Sequence, residues 1–160
     1  MVDGIAVRKM EQKDMEGAVD MVLRLKKLNA EFDSSFVVRE GIGDEINGYL
    51  TAAIGDEKGH IVLVADAGKG AVGMIKVDIL DRIGYEPRKE ARIVEFYIMP
   101  EHRRKAVGHA LLEELTSMLK RRGISLVSAE FPSMNDIAVG FYRKKGFRNL
   151  VSVYGKQVDE

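Results

Sequence analysis

Apolar positions repeat at helical spacing in the first third of this chain and then give way to short, continuous runs. Ala18, Val22 and Leu25 fall on one helical face behind Asp14, which predicts a helix capped by that aspartate and fraying near Asn29. Residues 30–41, with Phe32 and Phe36 among acidic neighbours, read as a loop with apolar plugs. Asp44 then caps a second helix presenting Ile46, Tyr49, Leu50 and Ala53 on one side. Residues 5–8 suit a short first strand. Residues 61–65 form a continuous apolar run, residues 66–70 a Gly-containing turn, and residues 72–80 the second arm of an antiparallel hairpin. After a break at residues 81–88, residues 91–99 continue the meander. Leu111, Leu112, Leu115, Met118 and Leu119 then mark a helix ending in Lys120, Arg121, Arg122 and Gly123, a cationic last turn with a glycine cap. A strand over 124–131, a short helix closed by Gly146 and final β segments over 147–156 complete the pattern. Strands on both sides of a central helix, joined to an antiparallel meander, predict a mixed sheet with helices on its faces.

Composition narrows the class. With 160 residues and 46% hydrophobic content, residues 1–160 suit one domain with one sizeable core. The 25 basic and 25 acidic residues cancel, which argues against nucleic acid or an anionic membrane as the partner of the whole surface. The absence of cysteine excludes a disulfide scaffold, a thiolate nucleophile and cysteine-ligated metal. The N-terminal residues lack the pattern of a secretion signal, and no apolar run approaches a membrane span, so the expected location is cytoplasmic.

The chemistry concentrates at residues 95–112, where an apolar strand stops at Pro100 and a basic loop leads into an apolar helix. Such a junction gathers free backbone N–H groups and the positive end of a helix dipole, an arrangement suited to a phosphate. His102, Arg103, Arg104, Lys105 and His109 supply local positive charge, and Gly108 lets a ligand approach the backbone closely. A solvated basic turn with an ordinary packing glycine has the same local pattern. His60, His102 and His109 lack the spacing and supporting carboxylates of a metal site.

Residues 99–112 resemble the acetyl-CoA-binding motif of the GNAT superfamily of N-acetyltransferases. The family's Gln/Arg-x-x-Gly-x-Gly/Ala is represented by Arg103, Ala106 and Gly108; a second family motif is matched by Asn135, Ala138, Phe141, Tyr142, Lys145, Gly146 and Phe147. The resemblance implies an α/β (α+β) fold in one domain: a central mixed, mostly antiparallel sheet of six to seven strands with about four helices on its two faces. It implies acetyl-CoA as cosubstrate, no metal, and direct transfer to an amine acceptor in a ternary complex. Backbone groups of Tyr97, Ile98 and Met99 would hold the pantetheine arm. Amides of Arg103, Arg104, Lys105, Ala106, Val107, Gly108 and His109 would hold the pyrophosphate. The departure at Ala106 matters through φ: a helical value costs nothing, whereas a positive value strains the backbone.

Transfer to an amine needs an ammonium deprotonated and a thiolate stabilised. Glu95 interrupts an apolar strand, and period-2 geometry places it on the face of Ile93 and Tyr97. It resembles the acidic residue many family members use as base; an ion pair with Arg92, Arg103 or another cation is the structural alternative. Tyr142 matches the family's acid, although a Phe-Tyr pair on an amphipathic helix also suits a core. Asn135 either contacts the pantetheine amide or caps its helix. In the family the acceptor site involves the regions matching residues 28–42 and 81–90. Here these carry Glu31, Asp33, Glu40, Asp81, Glu86 and Glu90 beside Arg39, Arg82, Arg88 and Lys89. A polyamine, an aminoglycoside or a peptide or protein amine fits that mixture. The final β segments often support dimers in the family, so a homodimer is compatible with the pattern. The rival reading is a CoA-binding sensor that keeps the fold without catalysis. A nucleic-acid module is disfavoured by the zero net charge and the lack of an aromatic platform.

Overall fold

The computed structural model describes residues 4–159. Residues 1–3, part of the stretch read for a secretion signal, lie outside the described residues, as does residue 160. The order is β1 (Ala6–Lys9), α1 (Met15–Ala30), α2 (Gly43–Ile54), β2 (His60–Asp66), β3 (Ala71–Asp81), β4 (Lys89–Ile98), α3 (Val107–Arg121), β5 (Val127–Ala129) and α4 (Asp136–Lys144), with short 3-10 turns before α1, before α2 and before α3. Among the described residues no helix is long and apolar enough to cross a membrane.

The strands form one sheet in the order β1-β2-β3-β4-β5, antiparallel until the parallel β4–β5 pair. β2 shows why the apolar runs of the middle third are continuous. Ile61, Leu63 and Ala65 enter the core beneath α3, while Val62 and Val64 enter the core beneath α1 and α2. A strand covered on both faces has no polar side to alternate with. The mixed sheet and four helices agree with the expected architecture, but the sheet has five strands rather than six to seven. Residues 124–131 shorten to the three-residue β5, and residues 147–156 pair with no strand among the described residues.

Capping follows chemistry more closely than position. Asp14 occupies the N-cap of α1, yet its carboxylate accepts from Arg8 at 2.7 and 2.9 Å and from the Glu11 amide at 2.8 Å. Asp44 lies inside the first turn of α2, where it complements the dipole rather than capping the helix. Phe36 is 44% exposed and plugs nothing. α3 ends as the sequence predicts: Gly123 adopts φ +70°, its amide donates to Lys120, and Ile124 donates to Leu119. This double bond pattern closes the orphaned carbonyls of the last turn.

Candidate active site

β4 stops because its next residues are committed elsewhere. The Met99 amide donates to the Val72 carbonyl at 2.8 Å, and the Met99 carbonyl accepts from the His102 amide at 2.9 Å. Pro100 opens the 3-10 turn Pro100–His102. Arg103 folds back, donating from Nε to the Ile98 carbonyl at 2.9 Å with its guanidinium 5.1 Å from the Tyr97 ring centre. Arg104 and Ala106 then take left-handed φ values of 62° and 60° on either side of Lys105. This kind of backbone turns successive amides into a concavity suited to an anion. None of the amides of residues 104–109 donates to an acceptor among the described residues. The concavity and the start of α3 therefore present a row of free donors, which fits a pyrophosphate. The question left open at Ala106 is answered by its φ: the methyl group sits in a conformation costing about 1–2 kcal/mol for an L-residue.

Gly108 lies at the base of this row. A Cβ there would lie 3.4 and 3.5 Å from the Phe96 ring and 3.7 Å from Phe141, which are ordinary contacts. Protein packing alone therefore does not require glycine at this position. His109 is tied to α4, with Nδ1 2.7 Å from Lys145 Nζ, and its other nitrogen lies 3.3 Å from Glu113.

The sheet opens beside this loop. β5 pairs with β4 only from Ala91 to Ile93, and the Glu130 amide closes the ladder on the Ile93 carbonyl at 3.0 Å. β4 continues to Ile98 without a neighbour on that edge. Since the Met99 amide points to β3, strand alternation turns the Tyr97 amide the same way and the Ile98 amide into the gap. An extended ligand arm would find its free strand donor at Ile98, while the Ile98 carbonyl is already held by Arg103.

A bulge decides which face Glu95 occupies. Lys76 pairs with Glu95, but Val77 pairs with Ile93, so Val94 is an extra residue. Ile93 therefore joins the core under α3, whereas Tyr97 joins the core under α1 and α2. Glu95 shares the face of Tyr97, not that of Ile93, correcting the period-2 expectation. It is 3% exposed. Its Oε1 accepts from Lys26 Nζ at 2.7 Å and lies 3.3 Å from the Tyr49 hydroxyl. Its Oε2 is sealed from solvent without a partner among the described residues. Neither Arg92 nor Arg103 pairs with it: Arg92 donates to Glu90 at 3.1 Å and Arg103 to Ile98.

The surroundings of Glu95 contain residues that the sequence reading did not single out. Lys76 is 1% exposed, lies 4.3 Å from the Tyr49 ring centre and donates to Asp78 Oδ1 at 2.5 Å. Asp78 also meets His60 Nδ1 at 2.8 Å. Burial works to raise the Asp78 carboxyl, but the bonds from Lys76 and His60 hold it below its ordinary value. Burial, then the negative charges of Glu95 and Asp78, push the Tyr49 phenol far above its ordinary value, so it remains a neutral donor. Lys76 was legible by the signal that marked Glu95, a charge interrupting an apolar strand. Tyr49 was legible only as an apolar position of α2.

Tyr142 lies on the opposite face of the sheet. Its ring stacks on Phe131 at 5.3 Å and contacts Phe141, Phe147 and Phe96 at 5.2, 5.0 and 6.5 Å. Burial raises its phenol far above the ordinary value. The hydroxyl has no protein partner among the described residues, yet it is not sealed from solvent. Asn135 caps α4 through Oδ1, which accepts from the Ala138 amide at 3.1 Å. Glu95 and Tyr142 therefore flank the gap beyond Ile93 from opposite faces. Of the acidic loop residues proposed for the acceptor, Asp81 is paired with Lys89 at 2.7 Å and Glu90 with Arg92.

The model of the acetyltransferase (GNAT) family matches residues 10–147. The chain is 27% identical over 88 residues to a spermidine N(1)-acetyltransferase of Thermoplasma acidophilum, covering 55% of this chain and 50% of that protein. It is 33% identical over 58 residues to a ribosomal protein bS18 alanine N-acetyltransferase of Escherichia coli, covering 36% and 39%. The chain thus spans half or less of the length of these curated relatives. Its fold resembles that of a predicted acetyltransferase from Clostridium acetobutylicum solved with acetyl-CoA, at TM-score 0.77, 15% identity and 96% coverage of both chains.

Proposed function

The chain belongs to the acetyltransferase (GNAT) family, and on that premise we propose that it transfers the acetyl group of acetyl-CoA directly to a primary amine. The observation that carries the reading is Glu95 Oε2, a buried carboxylate oxygen with no donor among the described residues, on the β4 residue two positions beyond the last pairing with β5. Leaving such an acceptor unsatisfied costs about 1–3 kcal/mol or more. An incoming ammonium, or a water between it and the carboxylate, supplies the missing donor.

The free amides of residues 104–109 bind the pyrophosphate, with Arg104 and Lys105 adding charge, and the Ile98 amide binds the pantetheine arm. Acetyl-CoA supplies an acyl carbon activated as a thioester. Glu95 accepts the ammonium proton, which at an amine pKa of about 10.4 must leave before attack. As the C–N bond forms and the C–S bond breaks, Tyr142 donates a hydrogen bond to the departing sulfur. Its raised pKa suits this role, since the phenol keeps its proton until negative charge develops beside it. Tyr49 and Lys26 hold Glu95 in place from α2 and α1.

The relatives named for spermidine and for a protein's alanine both act on primary amines. A polyamine or a peptide or protein amine is the acceptor class we favour. The test is CoA release across polyamines, aminoglycosides, amino acids and peptides, with the acetyl-CoA thermal shift as binding control. Turnover on a primary amine supports the reading. Binding without turnover on any amine would favour a sensor, and absence of acetyl-CoA binding would defeat the proposal.

A further inference from the structure

Lys76 carries a charge that packing alone does not ask for. On β3 it shares the face of Met74 and Asp78, under α1 and α2, while Ile75 and Val77 face α3. The core on its face includes Met21, Leu50, Met74 and Tyr97. An ammonium 1% exposed in such surroundings must be compensated, whereas an apolar side chain of the same length would need no partner.

Two groups compensate it. Nζ donates to Asp78 Oδ1, on the same strand and the same face, and lies 4.3 Å from the centre of the Tyr49 ring. Asp78 is held in turn by His60, its partner across the β2–β3 ladder, at 2.8 Å. Lys76 also stands opposite Glu95 in the β3–β4 ladder. The contacts to Glu95 nevertheless come from Lys26 and from the Tyr49 hydroxyl.

The contacts form one chain that runs from His60 through Asp78, Lys76 and Tyr49 to Glu95. Tyr49 is 38% exposed, so packing fixes its ring only in part. A desolvated cation over the ring face adds a directional attraction that holds the ring's plane. The hydroxyl is thereby kept 3.3 Å from Glu95 Oε1, a length at which a small rotation loses the bond. Lys26, 41% exposed on a flexible stem, brings charge to the same oxygen without that rigidity. With Oε1 occupied from α1 and α2, Oε2 is the oxygen left without a donor among the described residues.

Resting on the reading of Glu95 as the base, we propose that Lys76 is a positioning residue for the transfer. Its buried ammonium, anchored by Asp78, holds the Tyr49 ring so that the Tyr49 hydroxyl fixes Glu95 Oε1 and leaves Oε2 to the acceptor. Lys76 acts through Tyr49 and touches neither substrate.

CoA release with the amine that the parent turns over fastest tests the proposal, with the acetyl-CoA thermal shift measured alongside. Lys76→Met is apolar and similar in length; Tyr49→Phe removes only the hydroxyl. Each is expected to lower kcat about tenfold, the worth of one hydrogen bond to a charged group. The KM for acetyl-CoA and its thermal shift are expected to stay unchanged. The double variant is expected to be no slower than the slower single variant, because both changes remove the same contact. Asp78→Asn, at a side chain 28% exposed, loosens the same ammonium. It gives a second cycle with Tyr49→Phe that does not depend on Lys76→Met folding, and its deficit is expected to vanish in the Tyr49→Phe background. Parent kcat in Lys76→Met overturns the proposal, as do deficits that multiply in the double variants. A rise in the KM for acetyl-CoA that matches the fall in kcat overturns it too, since it marks a general loss of structure. Glu95→Gln separates the two readings. A slow Glu95→Gln beside an unimpaired Lys76→Met removes the positioning role alone, while Glu95→Gln at the parent rate at every pH removes the base and this role with it.

Discussion

Replacing Ala106 with glycine tests the anion-binding loop through its backbone. Ala106 sits at the N-cap of α3 with φ 60° and ψ 16°. An L-residue held there gives up about 1–2 kcal/mol relative to its right-handed conformation. Glycine is free of that cost but loses more conformational freedom on folding, which returns about 0.4–1 kcal/mol. The difference favours Ala106→Gly by about 0.5–1 kcal/mol, equivalent to roughly 1–4 °C in Tm for a chain of this size. The sign should reverse at Gly123, where φ is +70° and the surrounding space is open: Gly123→Ala is expected to destabilise by a comparable amount, through backbone strain alone. Urea denaturation of the parent and both variants, monitored by circular dichroism, measures the two effects in one experiment. Acetyl-CoA titration should show Ala106→Gly binding at least as tightly as the parent, since the change removes a methyl group beside the free amides without removing a donor. If Ala106→Gly is destabilised by more than about 0.5 kcal/mol while Gly123→Ala behaves as expected, the left-handed assignment at residue 106 is wrong. The nest of amides built on it would then fall too.

Other expectations follow from named contacts. Tyr142→Phe should lower kcat by about 10²-fold or more while leaving acetyl-CoA affinity nearly unchanged, because the hydroxyl bonds no protein group and the ring packing is kept. Equal loss of kcat and cofactor affinity would instead mark a packing role. Glu95→Gln should slow turnover most at pH values where the acceptor is largely protonated, with the deficit shrinking as pH approaches the amine pKa; a uniform deficit at every pH would count against a base. Asp14→Asn should destabilise the fold by about 2–3 kcal/mol at neutral pH, below the usual cost of breaking a buried pair because Arg8 keeps Asp66 as a partner. The hydrogen bonds from Arg8 hold the Asp14 carboxyl below its ordinary value. Its contribution is therefore complete above the unfolded carboxylate pKa of about 3.9 and disappears as pH falls through the lower folded value. Parallel stability curves for parent and Asp14→Asn across that acid range would contradict the assignment.

Much of the architecture was legible because its signals are local. Leu111, Leu115 and Met118 report one face of α3 at helical spacing, and the run at residues 61–65 reports a strand buried on both sides. Gly123 and Gly146 mark helix ends because only glycine takes φ near +70° or +88° without strain. The strand, basic loop and helix at residues 95–112 are legible as a junction suited to a phosphate, since the requirements of that junction lie in consecutive residues.

Tertiary structure decided whatever depends on who pairs with whom. One extra residue, Val94, moved Glu95 away from the face of Ile93 and toward Lys26 and Tyr49; a period-2 count cannot register a bulge. Early loss of the β4–β5 ladder after Ile93 opened the edge at Ile98, and nothing in either strand's composition announces where a ladder ends. The apolar alternation after Gly146 predicted strands, but a strand exists only with a neighbour, and the chain gives residues 148–158 none among its described residues. By itself the sequence determined which segments favour helix or strand and which junction suits a phosphate, because propensity, periodicity and capping act over a few residues. Only the folded sheet determined the face of Glu95, the gap beside it and the unpaired edge at β5, because register and edge exposure belong to pairs of strands.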